Sequence, residues 1–338
     1  MGIDIAIDLG STRIRTFMPN KNIVIDEPSI VALDLDTNEI VAIGEQAYKM
    51  LGKTSQRIDV FYPIKRGVIS DYEFVEEMIL QLFHKLHSNK IVMPRAVVCV
   101  PSQITELEKK AIINSISVIG VRKIYLIETA IAAAMGAGLN TETSRGHLIL
   151  NIGGEITEIA IISLNGIVVS KTLKIAGNTF NNDIIQYAKK TYNIVIGEKT
   201  AEECKISIGG VAKQDKTFKL KGRDLITGMP KSIDITTNKI RNAIFPSFEI
   251  IVSELESILS QIPPELAGDI YLEGITVTGG SAALYGVDIV LKERTNLNVN
   301  IPNEPQNCAT IGAGLAIKYI NALEKKQYGK VNPLSLEY

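Results

Sequence analysis

The stretch IDIAIDLGST (residues 3–12) and the later stretch HLILNIGGEITE (residues 147–158) follow one plan. In each, an apolar strand-like run ends near a polar residue, Asp8 or Asn151, and then enters a glycine-containing turn. The chain has 338 residues, enough for two domains of ordinary size or one large two-lobed fold. The paired stretches therefore indicate a weak internal repeat.

Two further strand-like runs follow each turn. They are residues 13–18 and 22–25 in the first half, and 158–163 and 167–173 in the second. Asn165 and Gly166 separate the last two runs, and Asn-Gly is the strongest short-range signal for a hairpin. The repeat predicts two similar lobes whose first turns face each other across a cleft.

Between these strands the pattern changes to helical spacing. Apolar residues recur every three or four positions after Ser70, and Thr105 and Glu108 form the sequence signature of a helix-capping box. Residues 96–100 and 124–127 are apolar strand-like runs, and residues 130–138 form a small-residue helix suited to close packing. Strands alternating with helices predict an α/β fold.

The glycine turns are suited to binding phosphate groups. Successive backbone N–H groups in such turns can hold phosphate oxygens, and a neighbouring carboxylate or amide oxygen can hold the water shell of Mg²⁺. A third turn, Thr278-Gly279-Gly280-Ser281, follows another apolar run. The pattern favours a di- or triphosphate held between two lobes, with Asp8 and Asn151 near the metal.

Composition excludes several classes of protein. The chain has 36 Lys and Arg against 37 Asp and Glu, so it lacks the cationic excess that nucleic-acid binding requires. Its three cysteines are too sparse for a disulfide framework, and no apolar run approaches the length of about 20 residues that spans a bilayer. We expect a cytoplasmic protein without an N-terminal signal.

Other nucleotide-binding signatures are missing. The chain has no P-loop motif, and Gly312-Ala313-Gly314 is only half of a dinucleotide-binding fingerprint.

Several longer segments carry a family resemblance. They are IDLGST (7–12), DEPSIVAL (26–33), GRDLITGMP (222–230), PPELAGDI (263–270) and TGGSA (278–282). With them the chain resembles the MreB family of bacterial actins, within the actin/Hsp70/sugar-kinase superfamily, over roughly residues 3–320.

The resemblance implies an actin-like fold with two duplicated lobes, four subdomains and a central nucleotide cleft. Lobe I would comprise residues 1–145, with a small subdomain at about 31–66 and a return of about 312–338. Lobe II would comprise residues 146–311, with a small subdomain at about 177–235. The implied ligands are ATP or ADP with Mg²⁺, and the implied partners are copies of the chain in protofilaments, other MreB paralogues and a membrane surface.

The resemblance also implies a set of site residues. Nucleotide contacts would come from Asp8, Gly10, Ser11, Thr12, Arg13, Asn151, Gly153, Gly154, Glu155, Glu202, Glu203, Lys205, Gly279, Gly280, Ser281 and Ala282. Asp8 and Asn151 would hold the metal through water.

Departures from the family pattern concentrate where hydrolysis would occur. The family's E-E-P is Glu128-Thr129-Ala130 here, and its D-I-G-G-G-T-T-E has become N-I-G-G-E-I-T-E, so that Ile156 replaces a threonine. Thr129 and Ile156 stand where the family positions the attacking water, and neither side chain can do this. Losing one such group costs about 10²–10⁴ in rate, so we expect weak or absent hydrolysis.

Two alternative functions stay open. The chain would be a fully active filament ATPase if Glu155 or Glu158 acts in catalysis, or else a small-molecule kinase of the same superfamily. Glu128 and Glu155 are the candidate substitutes at the catalytic positions, and Glu155 is either a solvated side chain or a catalytic one.

Two surface segments complete the predictions. The apolar residues Ile91, Val92 and Met93, with cations around them, suit weak and reversible contact with the inner face of a membrane, although they would instead be buried as a lead into the next strand. The segment AGNTFNN (176–182), acidic in the family, is expected to begin a helix at the tip of the second lobe.

Overall fold

The computed structural model describes residues 4–86, 94–320 and 334–336. The strands are β1 (Ile5–Leu9), β2 (Arg13–Met18), β3 (Asn22–Pro28), β4 (Val31–Asp34), β5 (Glu39–Ile43), β6 (Ile58–Phe61), β7 (Ile64–Lys65), β8 (Val68–Ile69), β9 (Arg95–Val100), β10 (Lys123–Glu128), β11 (His147–Ile152), β12 (Thr157–Ser163), β13 (Gly166–Leu173), β14 (Ile194–Val195), β15 (Thr217–Asp224), β16 (Pro230–Thr236), β17 (Ile275–Thr278), β18 (Val299–Asn300) and β19 (Ser335–Leu336). The helices are α1 (Gly44–Met50), α2 (Tyr72–Leu86), α3 (Glu106–Ser117), α4 (Thr129–Gly136), α5 (Gly177–Tyr192), α6 (Glu198–Ile208), α7 (Thr237–Leu259), α8 (Pro264–Glu273), α9 (Val287–Thr295) and α10 (Cys308–Ala316).

Two central sheets repeat one topology. The first has the order β19-β10-β9-β1-β2-β3, and the second has the order β13-β12-β11-β17-β18. In both, the first three strands form an antiparallel meander, and two later strands extend the sheet in parallel from the first strand. The predicted duplication and the α/β class are therefore confirmed.

The hairpin between β12 and β13 differs in detail from the prediction. Ser163 pairs with Gly166, so the two central turn residues are Leu164 and Asn165, both with positive φ. Such a turn needs left-handed backbone at both positions, and Asn tolerates this conformation. The signal located the hairpin correctly, but the turn lies one residue earlier.

Smaller sheets flank the central pair. Strands β5-β4-β6 form one three-stranded sheet, β14-β15-β16 form another, and β7-β8 form a tight hairpin. The helix α3 begins with the predicted capping box, in which Thr105 and Glu108 exchange hydrogen bonds. None of the helices in the described ranges is long and apolar enough to cross a membrane.

Helices α4 and α10 lie between the two central sheets. Their small side chains form a buried cluster with residues of both sheets, including Ala6, Val97, Ile149 and Ala160. A Cβ on Gly312 would stand 1.7 Å from the carbonyl oxygen of Ala132, so the two helix backbones are in direct contact. Gly312 thus serves helix packing, whereas Gly314 makes room for the Phe17 ring of β2.

This close contact yields a stability prediction. Gly312→Ala forces α10 away from α4 and should lower the free energy of unfolding by about 3 kcal/mol, the upper end of the usual cost of overpacking. Urea unfolding followed by circular dichroism measures this.

Gly268→Ala is the matched control, because Gly268 lies inside α8 with no heavy atom near its added Cβ. This change should stabilise the protein by about 0.5–1 kcal/mol through helix propensity. Equal stability of the two variants would contradict the packing account.

Candidate functional site

The first glycine turn joins β1 to β2 and is held in shape by Ser29. The Ser29 hydroxyl donates to the carbonyl oxygen of Gly10 at 2.6 Å, and the Ser29 N–H donates to the carbonyl oxygen of Thr12 at 3.0 Å. Asp8 lies just before the turn and pairs across the strands with Arg15. These contacts fix the shape of the turn.

The second turn joins β11 to β12 and meets the first one. The Gly153 N–H donates to the carbonyl oxygen of Ile156 at 3.0 Å, which closes the turn. A Cβ on Gly154 would stand 2.3 Å from Cγ2 of Thr12, so only glycine allows this approach. The two turns therefore face each other across the cleft, as the repeat predicted.

The third turn supports the second from behind. The Ser281 hydroxyl donates to the carbonyl oxygen of Gly153 at 3.0 Å, and the Thr278 hydroxyl donates to Oδ1 of Asn151 at 3.2 Å. Gly279 has a φ of +85° and packs against the carbonyl oxygen of Ile152. The third turn is thereby locked to the end of β11.

A cavity of about 540 Å³ opens between the lobes at these turns. The predicted site residues that line it are Asp8, Gly10, Ser11, Thr12, Arg13, Asn151, Gly153, Gly154, Glu155, Glu202, Lys205, Gly279, Gly280 and Ser281, together with Thr129 and Ile156. Three predicted residues lie outside its lining. Glu128 is half-buried before α4, Glu203 is exposed on α6, and Ala282 is buried in the second lobe's core.

Other lining residues had no sequence signal. Tyr48 of α1 and Tyr62 after β6 reach the cavity from one side, and Glu198 of α6 reaches it from the other. Burial raises the pKa of Tyr62 well above its usual value, and Glu198 beside it raises this pKa further. The ammonium of Lys199 lies 5.3 Å from the centre of the Tyr48 ring. These pairs bring the outer edges of the two lobes together.

Two carboxyl groups lie deep in the cavity. Burial raises the pKa of Asp8, an effect that Arg15 opposes, and the Thr310 hydroxyl donates to its Oδ2 at 3.4 Å. Burial also raises the pKa of Glu158, whose Oε1 accepts from the N–H and hydroxyl of Ser102 at 2.8 and 2.9 Å. Oε2 of Glu158 is buried and has no hydrogen-bond partner in the described part of the chain.

A buried lysine lines the second lobe's wall. The Lys205 ammonium donates to Oε2 of Glu202 at 2.7 Å and to the carbonyl oxygen of Gly177 at 3.0 Å. Asn181 donates to the same Glu202 oxygen at 2.5 Å. Burial lowers the pKa of Lys205, while Glu202 acts in the opposite direction. The network ties α6 to the start of α5.

A model of the MreB/Mbl protein family matches residues 2–325. This chain belongs to the MreB/Mbl family.

Individual members agree with that assignment. The cell shape-determining protein Mbl of Bacillus cereus is 36% identical over 326 residues, covering 96% of this chain and 98% of that protein. The cell shape-determining protein MreB of Escherichia coli is 38% identical and covers 94% of each chain.

Solved structures give the same answer for the fold. The structure of MreB 5 of Spiroplasma citri bound to AMPPNP aligns with a TM-score of 0.91 at 36% identity, covering 96% of this chain and 98% of that one. A MamK double helical filament aligns with a TM-score of 0.79 at 18% identity, covering 94% of this chain and 98% of that one. The fold is actin-like.

Thr129 and Ile156, at the predicted catalytic positions, both line the cavity. The Thr129 hydroxyl donates to the carbonyl oxygen of Val100 at 3.0 Å, so its hydrogen is directed to the backbone. Ile156 presents an apolar side chain to the cavity beside Gly67. Glu155 accepts from the Arg66 N–H and from the Asn178 amide and is partly exposed, so its solvated and its catalytic interpretation both stay predictions.

The segment at 176–182 begins a helix, as predicted, but at a different place in the lobe. It begins α5 beside the second glycine turn rather than at the tip of the lobe, because the N–H groups of Gly177 and Asn178 donate to the carbonyl oxygens of Gly153 and Gly154 at 3.2 and 2.6 Å. The predicted membrane residues Ile91, Val92 and Met93 lie outside the described residues.

The contact between the two turns yields a second prediction. Gly154→Ala introduces a methyl group against Thr12 and should lower the free energy of unfolding by about 1–3 kcal/mol. Adding Thr12→Gly removes the clash, so the double variant should recover at least about 1 kcal/mol relative to additivity. Thermal unfolding of the four proteins measures this coupling, and strict additivity would show that the turns do not touch.

Proposed function

We propose that this chain is an actin-like filament protein that binds ATP or ADP in the cavity and hydrolyses ATP slowly or not at all. The observation that carries the proposal is the meeting of two glycine turns, at residues 10–12 and 153–156, in one cavity whose catalytic positions hold Thr129 and Ile156. The relative from Spiroplasma citri has been solved with AMPPNP and with ADP, which supports an adenine nucleotide.

Phosphate binding would use the backbone of both turns. Backbone N–H groups in such turns hold anionic oxygens without requiring a cationic side chain. The third turn at residues 279–281 and the network of Lys205 and Glu202 form the part of the cavity wall that adjoins the second turn, where a nucleoside would lie. Glu128, Glu203 and Ala282, which do not line the cavity, have at most indirect roles.

The donor set fits Mg²⁺. Asp8 supplies a carboxylate at the cavity wall, Asn151 an amide oxygen, and Oε2 of Glu158 is buried without a hydrogen-bond partner among the described residues. A hard cation that keeps several waters suits such oxygen ligands. When bound, Mg²⁺ would neutralise charge on the phosphate oxygens.

Slow hydrolysis follows from the side chains that would orient water. Phosphoryl transfer depends on positioning and on charge stabilisation. The Thr129 hydroxyl is already donated to Val100, and Ile156 cannot hydrogen-bond at all. Glu155 makes two hydrogen bonds of its own, which hold it as an acceptor. We therefore expect the cavity to bind ATP but to hydrolyse it slowly.

Restoring the two side chains tests this account. Thr129→Glu combined with Ile156→Thr should raise phosphate release by at least about tenfold, since one positioned base or water ligand is worth about 10²–10⁴ in rate. A phosphate-release assay on purified protein with ATP and Mg²⁺ measures the change.

The matched control is Thr129→Gln with Ile156→Thr, which has nearly the same shape and no carboxylate. It should release phosphate at least about tenfold more slowly than the Thr129→Glu double variant, because it lacks the carboxylate base. An unchanged protein that already releases phosphate as fast as the Thr129→Glu variant would contradict the assignment of a slow site.

The tip of the β15–β16 hairpin would serve self-assembly. Leu225, Ile226 and Met229 are 48, 80 and 67% exposed there. Asp224 holds the turn through hydrogen bonds from the N–H groups of Ile226 and Thr227, both at 2.9 Å. A rigid tip with three exposed apolar side chains suits burial against a second copy of the chain.

The tip therefore yields a polymerisation prediction. Ile226→Asp places a charge in the contact and should abolish sedimentation of polymer at concentrations where the unchanged protein sediments, while nucleotide binding persists. Leu107→Asp, on a residue of similar exposure in α3, should leave sedimentation intact. Normal sedimentation of the Ile226→Asp protein would show that the tip takes no part in the contact between copies of the chain.

Membrane and paralogue contacts extend the proposal. Residues 91–93 would give a weak apolar contact with the inner face of the membrane, which a filament would multiply. Other members of the family would be assembly partners, and the protein would act in cell shape or movement.

A further inference from the structure

Glu155 makes an unusual connection across the cleft. Its carboxylate accepts a hydrogen bond from the backbone N–H of Arg66, which belongs to the opposite lobe, and another from the Asn178 amide at 3.4 Å. Asn178 belongs to the first turn of α5. One acidic side chain in the second glycine turn therefore joins both sides of the cavity.

The partner of Glu155 is a tight turn that touches both glycine turns. Arg66 and Gly67 connect β7 to β8, with φ values of +55° and +76°. The Arg66 N–H donates to Glu155, and the next N–H, of Gly67, donates to the Ser11 hydroxyl at 2.8 Å. A left-handed turn of this kind presents N–H groups that suit an anion, and here a side-chain carboxylate takes one of them.

The charged side chains that line the cavity determine how the Glu155 carboxylate would affect a bound anion. Its lining includes the carboxylates of Asp8, Glu155, Glu158, Glu198 and Glu202 and the cations of Arg13, Arg15 and Lys205. The cations are already engaged: both arginines pair with Asp26, and Lys205 pairs with Glu202. Among the described residues that line the cavity, none of the three cations is therefore paired with Glu155.

From these contacts, and resting on the proposed function, we propose that Glu155 is a specificity-determining residue that makes the site prefer a nucleoside diphosphate to a nucleoside triphosphate. A terminal phosphate would bring further negative charge to the glycine turn that bears Glu155, and it would compete with the carboxylate for the N–H of Arg66. A diphosphate ends earlier and leaves the link between the lobes intact.

Two substitutions separate charge from hydrogen bonding. Glu155→Gln removes the charge but keeps an oxygen that can accept from Arg66, whereas Glu155→Ala removes both. Glu293→Gln is the control, because Glu293 is exposed on α9 and lies outside the cavity lining. Full-length proteins are titrated with ADP and with AMPPNP, each with Mg²⁺, in a calorimeter.

The expected result is a change in the ratio of the two dissociation constants. The unchanged protein and the Glu293→Gln protein should bind ADP more tightly than AMPPNP. Both Glu155 variants should lower the AMPPNP-to-ADP ratio of Kd values about tenfold, because one nearby like charge is removed. Amide hydrogen exchange at Arg66 in the nucleotide-free protein should speed up in Glu155→Ala and change little in Glu155→Gln.

The remaining outcomes are distinguishable. If nucleotides bind but the ratio is the same in all four proteins, Glu155 does not determine specificity, and the proposed function stands. If only Glu155→Ala shifts the ratio, the carboxylate acts through its hydrogen bond rather than its charge, and the electrostatic basis is overturned. If neither nucleotide binds any of the proteins, the proposed function fails and this inference fails with it.

Discussion

The direct backbone contact between α4 and α10 is the constraint on which the rest of the structure depends. Each helix packs between the two central sheets, and glycine at position 312 lets their backbones touch. Because both sheets pack against this one layer of helices, the end of β1 lies near the end of β11. The glycine turns that follow these strands can then meet at Thr12 and Gly154.

The cleft built on this frame is closed by polar contacts that cross it. Ser102 donates to Glu158, the turn at Arg66 and Gly67 donates to Glu155 and Ser11, and Tyr62 lies against Glu198. Hydrogen bonds to buried carboxylates are strong but costly to leave unmade. The same groups that hold the lobes together also shape the space between them.

Much of the fold was predictable because it depends on local pattern. Strands ending at Asp8 and Asn151 and followed by glycine turns were enough to predict the duplication, and the α4 segment showed its packing role through small residues. The turn at Leu164 and Asn165 was misplaced by one residue, since sequence fixes the presence of a hairpin better than its register. The start of α5 was placed at the wrong end of the lobe because nothing local reveals its contact with Gly153 and Gly154.

The site was only partly predictable for the same reason. Glycine residues in the sequence indicate the backbone turns. In contrast, Tyr48, Tyr62 and Glu198 reach the cavity only because distant elements pack together. Glu155 and Arg66 are 89 positions apart in the chain, so their contact exists only in the folded protein. Glu203 and Ala282 neighbour true lining residues in sequence, but helical geometry turns them away.

A crystal structure of the full chain with ADP and Mg²⁺ tests the central claim most directly. The account predicts the diphosphate between the turns at residues 10–12 and 153–156, with the adenosine toward Gly279 and Lys205. Nucleotide bound elsewhere, with both glycine turns free of phosphate, would contradict it.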